Sequence, residues 1–288
     1  MEINNLQTFV TIAESGSFSL ASERLFLTQP AISKRIAALE TELGTSLFDR
    51  IGRKVYLTEA GQALLPRARS ILLEVEDSRR AISNLSGRIA GRLSIGTSHH
   101  IGLHRLPPVL RQFSRDYPEV ELDIHFLDSE EVCQAVEHGE LEMGIVTLPL
   151  EPIPNLSTRV IWPDPLSIVV SREHPLLKLK TITLTDLAQH AAVLPAHGTY
   201  TREVIERAFK PLGLTLKVTM STNYLETIKM MVQVGLGWSV LPKAMLNMEM
   251  RGISLPQIRL HRDLGLVWHS LRTLSNGAKA MMALLKQY

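Results

Sequence analysis

"LTQPAISKRIAALETELG", residues 27–44, holds the pattern on which the reading of this chain turns. Thr28 stands where a helix cap is wanted, and Pro30 falls in the first turn, where a missing N–H costs nothing. Gly44 supplies the stop. Ile32, Ile36, Leu39 and Leu43 recur at helical spacing and define a buried stripe. Gln29, Ser33, Lys34 and Arg35 face away from it, more hydrogen-bonding groups than a solvated first turn requires. A glutamine amide can read a base edge, a serine serves bases or phosphates, and lysine and arginine reach guanine edges or backbone oxygens. By composition alone a plain solvated face fits equally well, so the flanking sequence has to decide.

Upstream, residues 3–14 place Leu6, Phe9, Val10 and Ala13 on one helical face. Gly16 ends that helix, and Ser17 or Ser19 caps a short second one over 19–27, with Leu20, Ala21 and Leu25 pointing inward. Helix, short helix, tight turn, helix is the helix-turn-helix order, in which the last helix offers its N-terminal residues to the DNA major groove. Downstream, "LFDRIGRKVYLTEAG" (47–61) reads as a small hairpin turning at Gly52, with Arg50, Arg53 and Lys54 around the tip. A basic wing beside a reading helix suits phosphate or minor-groove contact.

A long helix follows Thr58. Leu64, Ala68, Ile71, Val75, Ser78, Ile82 and Leu85 alternate in steps of four and three, a heptad seam that favours pairing between chains. Ser78 weakens the seam, and Pro66 kinks or begins its main run. After the linker "SGRIAGR" (86–92) the pattern changes to alternating strands and helices: strands at 93–97, 120–128 and 141–147, with helices at 106–118 and 129–140. A second set follows from 166 to 242, then a returning strand at 264–269 and a last helix at 275–287. Such alternation predicts parallel βαβ units. Two α/β halves with extended crossings near 160 and 264 predict a hinged, two-lobed binding fold.

Bulk properties bound the function. The 288 residues are 45% hydrophobic, enough for real cores, and no apolar run approaches the ~20 residues of a membrane span. The first ten residues carry an acid at position 2 and neither the basic nor the apolar region of a signal peptide, so the expected location is cytoplasmic. Residues 1–92 hold 12 Lys and Arg against 10 Asp and Glu, while 93–288 hold 19 of each. The small basic surplus therefore lies in the head, as a nucleic-acid contact would want. The single cysteine, Cys133, excludes an internal disulfide and reads as a small core hydrophobe. There is no Gly-rich phosphate loop, no G-x-S-x-G elbow and no H-E-x-x-H, so no catalytic residue and no cofactor is expected. A solute-binding protein fits the last two thirds, but it would need export and would not need residues 1–58. The alternative is a cytoplasmic solute-binding or sensor module whose N-terminal helices serve protein interaction.

In open α/β folds ligands sit at the carboxyl ends of strands. Those places here are Thr97, Ser98, His99 and His100 in "GTSHHIG", Thr147 at the end of the third strand, His197 and Thr199 in "PAHGTYT", and Asn223. Plain helix capping is the competing reading of each hydroxyl. Neutral donors predominate and no cation is assured, which suits a small anion or carboxylate. His100 and His104 lie four apart, a helical metal spacing. With Gly102 between them and no third ligand in view, no metal is assigned.

The order of these pieces resembles the LysR-type transcriptional regulators. The specific matches are the "SGSFS" turn, "TQPAIS", "LE.ELG..LF.R" and "LTEAG", spanning nearly 60 residues, with "GRLSIG", "YPEVEL" and "VGLGWSVLP" downstream. The resemblance implies a fold that is α+β overall, with an N-terminal winged helix-turn-helix over 1–58 and a long dimerising linker helix over 59–87. It implies a C-terminal α/β two-lobed effector domain over 92–288, like periplasmic binding proteins. Lobe I would cover about 92–162 and 266–288, and lobe II about 163–265. It further implies DNA contacts from Gln29, Pro30, Ser33 and Lys34, to which the residue pattern adds Arg35 and the wing's Arg53, and a small effector between the lobes. Homodimers assembling to homotetramers and contact with RNA polymerase complete the expectation. The family commonly has arginine where this chain has Lys34, and lysine is a point charge without the bidentate fork.

Overall fold

Glycines and hydroxyl side chains punctuate the first helices of the computed structural model, which describes residues 1–51, 54–255 and 258–288. Helix α1 (Ile3–Ser15) ends at Gly16, whose φ of 61° is left-handed, and Ser17 caps α2 (Phe18–Arg24) by accepting from the Leu20 N–H. Thr28 caps α3 (Gln29–Leu43) by accepting from the Ala31 N–H. Strands β1 (Phe48–Ile51) and β2 (Lys54–Leu57) pair antiparallel as the wing, and α4 (Glu59–Asn84) follows. Leu6, Phe9, Ile12, Phe18, Ala21, Ile32, Ile36, Leu39, Leu47 and Phe48 form one core.

Two expectations about that core change. Leu20 is half-exposed and Phe18 takes its place, because α2 starts at Phe18 and positions 18, 21 and 25 then share a face. Leu43 is exposed at the last turn of α3, and Leu47 closes the core there instead. The Leu47 N–H donates to Glu40 Oε1 at 2.7 Å, which fixes the chain between helix and wing.

The seam of α4 divides. Ala68 is fully buried, and Leu64, Leu65 and Leu72 pack against the core of their own unit. Gly61 permits this, since a Cβ there would sit 2.3 Å from the Leu47 carbonyl oxygen. From Ile71 onward the stripe is uncovered: Ile71, Ile82 and Leu85 are exposed.

Residues Met1–Ser86 form one unit and Gly87–Tyr288 another. The second begins with β3 (Gly91–Thr97), α5 (His99–His104), α6 (Leu106–Asp116), β4 (Val120–Phe126), α7 (Ser129–Glu137) and β5 (Met143–Thr147). Then come β6 (Leu156–Ser171), α8 (Leu184–Gln189), β7 (Ala192–Leu194), α9 (Tyr200–Phe209), β8 (Val218–Ser221) and α10 (Leu225–Gln233). Strands β9 (Ser239–Pro242), β10 (Met250–Ile253) and β11 (His261–His269) and helix α11 (Asn276–Leu285) complete it. Parallel pairing holds for β3 with β4 and β5, and for β7 with β8. The returning strands are antiparallel instead: β11 to β5 and β6, and β6 to β9 and β10.

The crossing near 160 and the strand at 166–171 are one element. Through Pro165, β6 pairs with β11, and from Leu166 it pairs with β9 and β10, so a single 16-residue strand serves both lobes. Beside it Gly265 meets the Arg159 carbonyl so closely that a Cβ would lie 2.1 Å away. Each lobe has apolar layers on both faces of its strands. In the first, α6 and α11 pack on one side and α7 on the other; in the second, α9 and α10 do so. Helix α5 falls within residues read from sequence as a loop; it is only six residues long and contains a glycine, below the length at which a helix signals itself.

Candidate functional sites

In the first unit, α3 presents Gln29, Pro30 and Lys34 to solvent with Ser33 half-buried beside them. Arg35 points elsewhere: its Nη1 donates to Thr8 Oγ1 on α1 at 3.3 Å, so it braces the reading helix against its neighbour. Arg53 lies outside the described residues. The turn that delivers α3 has an unusual member. Phe26 adopts φ 53° and is 95% exposed. Its N–H donates to Glu23 O and that of Leu27 to Ser22 O, the bond pattern of a helix end that ordinarily carries glycine or asparagine.

In the second unit a cavity of about 200 Å³ opens where β3, β5 and β7 end. That is small beside the ~300–1,000 Å³ of drug-sized pockets and suits a compact metabolite. Ser98, His99, His100, Thr147, Thr199 and Asn223, all expected from sequence, line it. Thr97 and His197 do not. Thr97 is fully buried and donates through Oγ1 to the Ile145 carbonyl at 2.8 Å, tying β3 to β5. His197 is exposed and faces Glu206, with Nδ1 3.3 Å from Oε1.

The cation that sequence reasoning missed is Arg262. It is buried at the start of β11, lines the cavity, and donates Nε to Asp164 Oδ2 at 2.9 Å and Nη1 to Thr201 Oγ1 at 2.7 Å. Its Nη2 is buried with no hydrogen-bond partner among the described residues. Three acids also border the cavity: Asp128, Glu130 and Glu131. Two of these have partners from the opposite lobe. Asp128 accepts from the Asn223 amide, whose Oδ1 in turn accepts from the Ala196 N–H at 2.9 Å. Glu130 accepts from the Tyr200 N–H at the start of α9, and burial pushes its carboxyl above the usual range. The unmet demand in the cleft is therefore for an acceptor at Arg262. Nothing in "LHRDLGLVWH" marked Arg262 as buried; an ion pair to Asp164 is a tertiary fact.

His99 packs edge-on against Tyr224 and Phe126, bridging α5 and the start of α10. His100 is no neutral-pH switch: burial and the Arg262 charge lower its pKa to about 4 despite a hydrogen bond to Glu226. Glu226 on α10 takes both His104 Nε2, at 2.7 Å, and His100 Nδ1, at 3.4 Å, on one oxygen. Burial pushes its carboxyl up, but the histidine hydrogen bonds outweigh that and hold it below the usual range.

Cys133 is buried on α7, and burial pushes its thiol up to about 11. A thiol so placed carries almost no thiolate at neutral pH, which removes the nucleophile that thiol redox sensing needs. Among the described residues no helix is long and apolar enough to cross a membrane.

Comparison with known proteins agrees with this geometry. Residues 3–62 match the model of the bacterial regulatory helix-turn-helix protein, lysR family, and residues 86–288 that of the LysR substrate binding domain. An "uncharacterized HTH-type transcriptional regulator in ibpB-leuC intergenic region" of Azotobacter vinelandii is 65% identical over 108 residues, 38% of this chain and 75% of that one. A probable RuBisCO transcriptional regulator of Cyanidioschyzon merolae is 32% identical over 96% of this chain and 94% of its own. Among solved structures, a full-length OxyR variant from Pseudomonas aeruginosa matches with a TM-score of 0.70 at 25% identity, covering all of this chain and 94% of that one. With both halves of the chain matched in order, this protein belongs to the LysR family of transcriptional regulators.

Proposed function

We propose that this regulator reads DNA through the exposed N-terminal face of α3 and is switched by a small oxyanion held at Arg262. In a family of DNA-binding regulators, the polar cluster on α3 has a use beyond solvation. Gln29 and Ser33 are the base-reading side chains of this proposal, Lys34 a point charge for phosphate or guanine, and Pro30 the residue that lets the helix start close to the duplex. Arg35 acts through the α1–α3 brace. Arg53, which follows β1 and precedes β2 in sequence, supplies a phosphate contact. The exposed stripe of α4 from Ile71 to Leu85 pairs two chains, and pairs assemble to a homotetramer. The heads are then presented as two-fold related readers. Work in the cytoplasm and contact with RNA polymerase belong to the same reading.

The observation that carries the effector assignment is Arg262, a buried cation on the cavity wall whose Nη2 has no hydrogen-bond partner among the described residues. Leaving such a donor unmet costs about 1–3 kcal/mol, more for a charged group, which a bound carboxylate or other oxyanion recovers. Ser98, Thr147 and Asn223 add neutral polar groups around it. Asp128 and Glu130 repel a bare polyanion, so the fit is to a small anion that also carries a hydroxyl or amine.

Fluorescence anisotropy with the DNA upstream of the protein's own gene tests the head. Gln29→Ala or Ser33→Ala should weaken specific binding by about 1–3 kcal/mol and relax specificity. Lys34→Ala and Arg53→Ala should weaken all sequences alike and flatten the salt slope. Unchanged affinity in all four, with the fold intact, removes α3 from the groove.

A further inference from the structure

Helix α5 supplies two histidines one turn apart, His100 and His104, with ring centroids 4.8 Å apart. Their spacing alone matches half of many zinc sites, and the sequence offers no third ligand nearby. The fold brings one from 122 residues away: Glu226, on the first turn of α10 in the other lobe, reaches His104 and His100 with a single carboxylate oxygen. One ligand atom from each of the three residues lies within 4.8 Å of the other two. The second carboxylate oxygen, Oε2, is buried with no hydrogen-bond partner among the described residues.

We propose that His100, His104 and Glu226 form a site for a divalent transition metal, zinc by ligand preference, that joins α5 to α10 across the cleft. Two neutral imidazoles and one carboxylate carry a single negative charge, and this is a ligand set typical of three-ligand zinc sites with an open fourth position. The cluster suits it in three further ways. His100 is buried, and its Nδ1 already faces the Glu226 carboxylate. The carboxylate is already turned toward both rings. Arg262, whose charge acts on His100, is paired with Asp164 at 2.9 Å. A metal here draws its ligands from both lobes, so its binding favours the lobe arrangement in which they meet and disfavours any in which they part. The site shares His100 with the wall of the Arg262 cavity, while His104 and Glu226 stand outside its lining.

The test uses the full-length protein, stripped of metal with a chelator and titrated with Co²⁺, whose ligand-field bands report the number and geometry of its ligands. Wild type should show visible bands saturating at one equivalent per chain and abolished by Zn²⁺, with a melting temperature that rises on adding Zn²⁺. His104→Ala and the near-isosteric Glu226→Gln should each lower Co²⁺ affinity at least tenfold and lose the zinc-dependent rise. His125→Ala, which removes an exposed histidine paired with Asp123 and outside the cluster, should change neither. Absence of bands at one equivalent in wild type overturns the proposal. So do bands that persist unchanged in both variants, since the metal would then sit on other histidines. Glu226→Gln should melt as a folded protein in the absence of metal, so lost binding there is lost ligation.

Discussion

Arg262 and Asp164 sit opposite each other in register on β11 and β6, Nε to Oδ2 2.9 Å, with both side chains almost wholly out of water. The pair lies one residue before β6 leaves β11 for β9 and β10. It therefore anchors the strand common to both lobes and holds a guanidinium at the cleft. Removing one charge of such a pair leaves the other buried and uncompensated. Asp164→Asn, nearly the same shape, should lower unfolding free energy by about 3–5 kcal/mol in a urea titration. A loss within 0.5 kcal/mol would mean that the pair is neither buried nor coupled as described.

Thr97 and Ser98 are adjacent hydroxyls with different surroundings. Thr97→Val removes the buried bond to the Ile145 carbonyl, so it should cost about 0.5–1.5 kcal/mol of stability while leaving ligand affinity intact. Ser98→Ala should do the reverse, since Ser98 lines the cleft and its side chain makes no cap bond on α5. Thermal melts paired with ligand titrations separate the two; equal effects on affinity would return Thr97 to the binding surface.

Phe26 occupies a left-handed position that costs an L side chain roughly 1–2 kcal/mol and buries nothing in return. Phe26→Gly or Phe26→Asn should raise stability by up to about 1 kcal/mol in chemical denaturation, as a helix end relieved of strain. Destabilisation by either would show that the exposed ring has a partner within the unit.

The two halves of the α4 stripe should respond differently to charge. Ile82→Asp falls on the uncovered half and should convert the assembly to smaller species in light scattering while the head keeps its fold by circular dichroism. Ala68→Asp falls in the core of the winged unit and should unfold it. If Ile82→Asp left the assembly size unchanged, pairing would use another surface.

The Cys133 thiol, with a pKa near 11, should react with iodoacetamide at pH 8 far more slowly than an exposed thiol. The sign follows from the neutral form being favoured in the fold. Stability from this site is complete below the ordinary thiol pKa of about 8.5 and is lost as pH rises toward 11. Cys133→Ala should flatten that alkaline decline and leave DNA binding unchanged. Rapid alkylation of the folded protein would place the thiol at the surface.

Much of this was legible in the sequence because the information was local. Caps at Ser17, Thr28 and Thr58, stops at Gly16 and Gly44, and the apolar stripe of α3 each act within one or two turns. Placement of Ser98, Thr147, Thr199 and Asn223 at the cleft followed from strand ends alone. What stayed hidden depended on distant pairing. Arg262 needs Asp164 to be tolerated inside, and the third partner of the histidine pair is Glu226, far along the chain. Thr97 and Ser98 are adjacent hydroxyls, yet Thr97 is the last residue of β3 and bonds to β5, while Ser98 lies beyond the strand at the N-cap of α5. The heptad seam was visible as one stripe, but nothing in its spacing told that Gly61 would dock its first turns onto the wing.

The most direct test of the account is a DNase footprint on the DNA upstream of the gene, with wild type and Arg262→Lys, across a panel of small hydroxy- and amino-carboxylates. Lysine keeps a charge for Asp164 but lacks the free Nη2. The account predicts that at least one of these anions changes the wild-type protected region, and that Arg262→Lys needs at least tenfold more of it while binding DNA as well as wild type. An equal response in both proteins, or a wild-type response to none of the anions and to a neutral analogue instead, would contradict it.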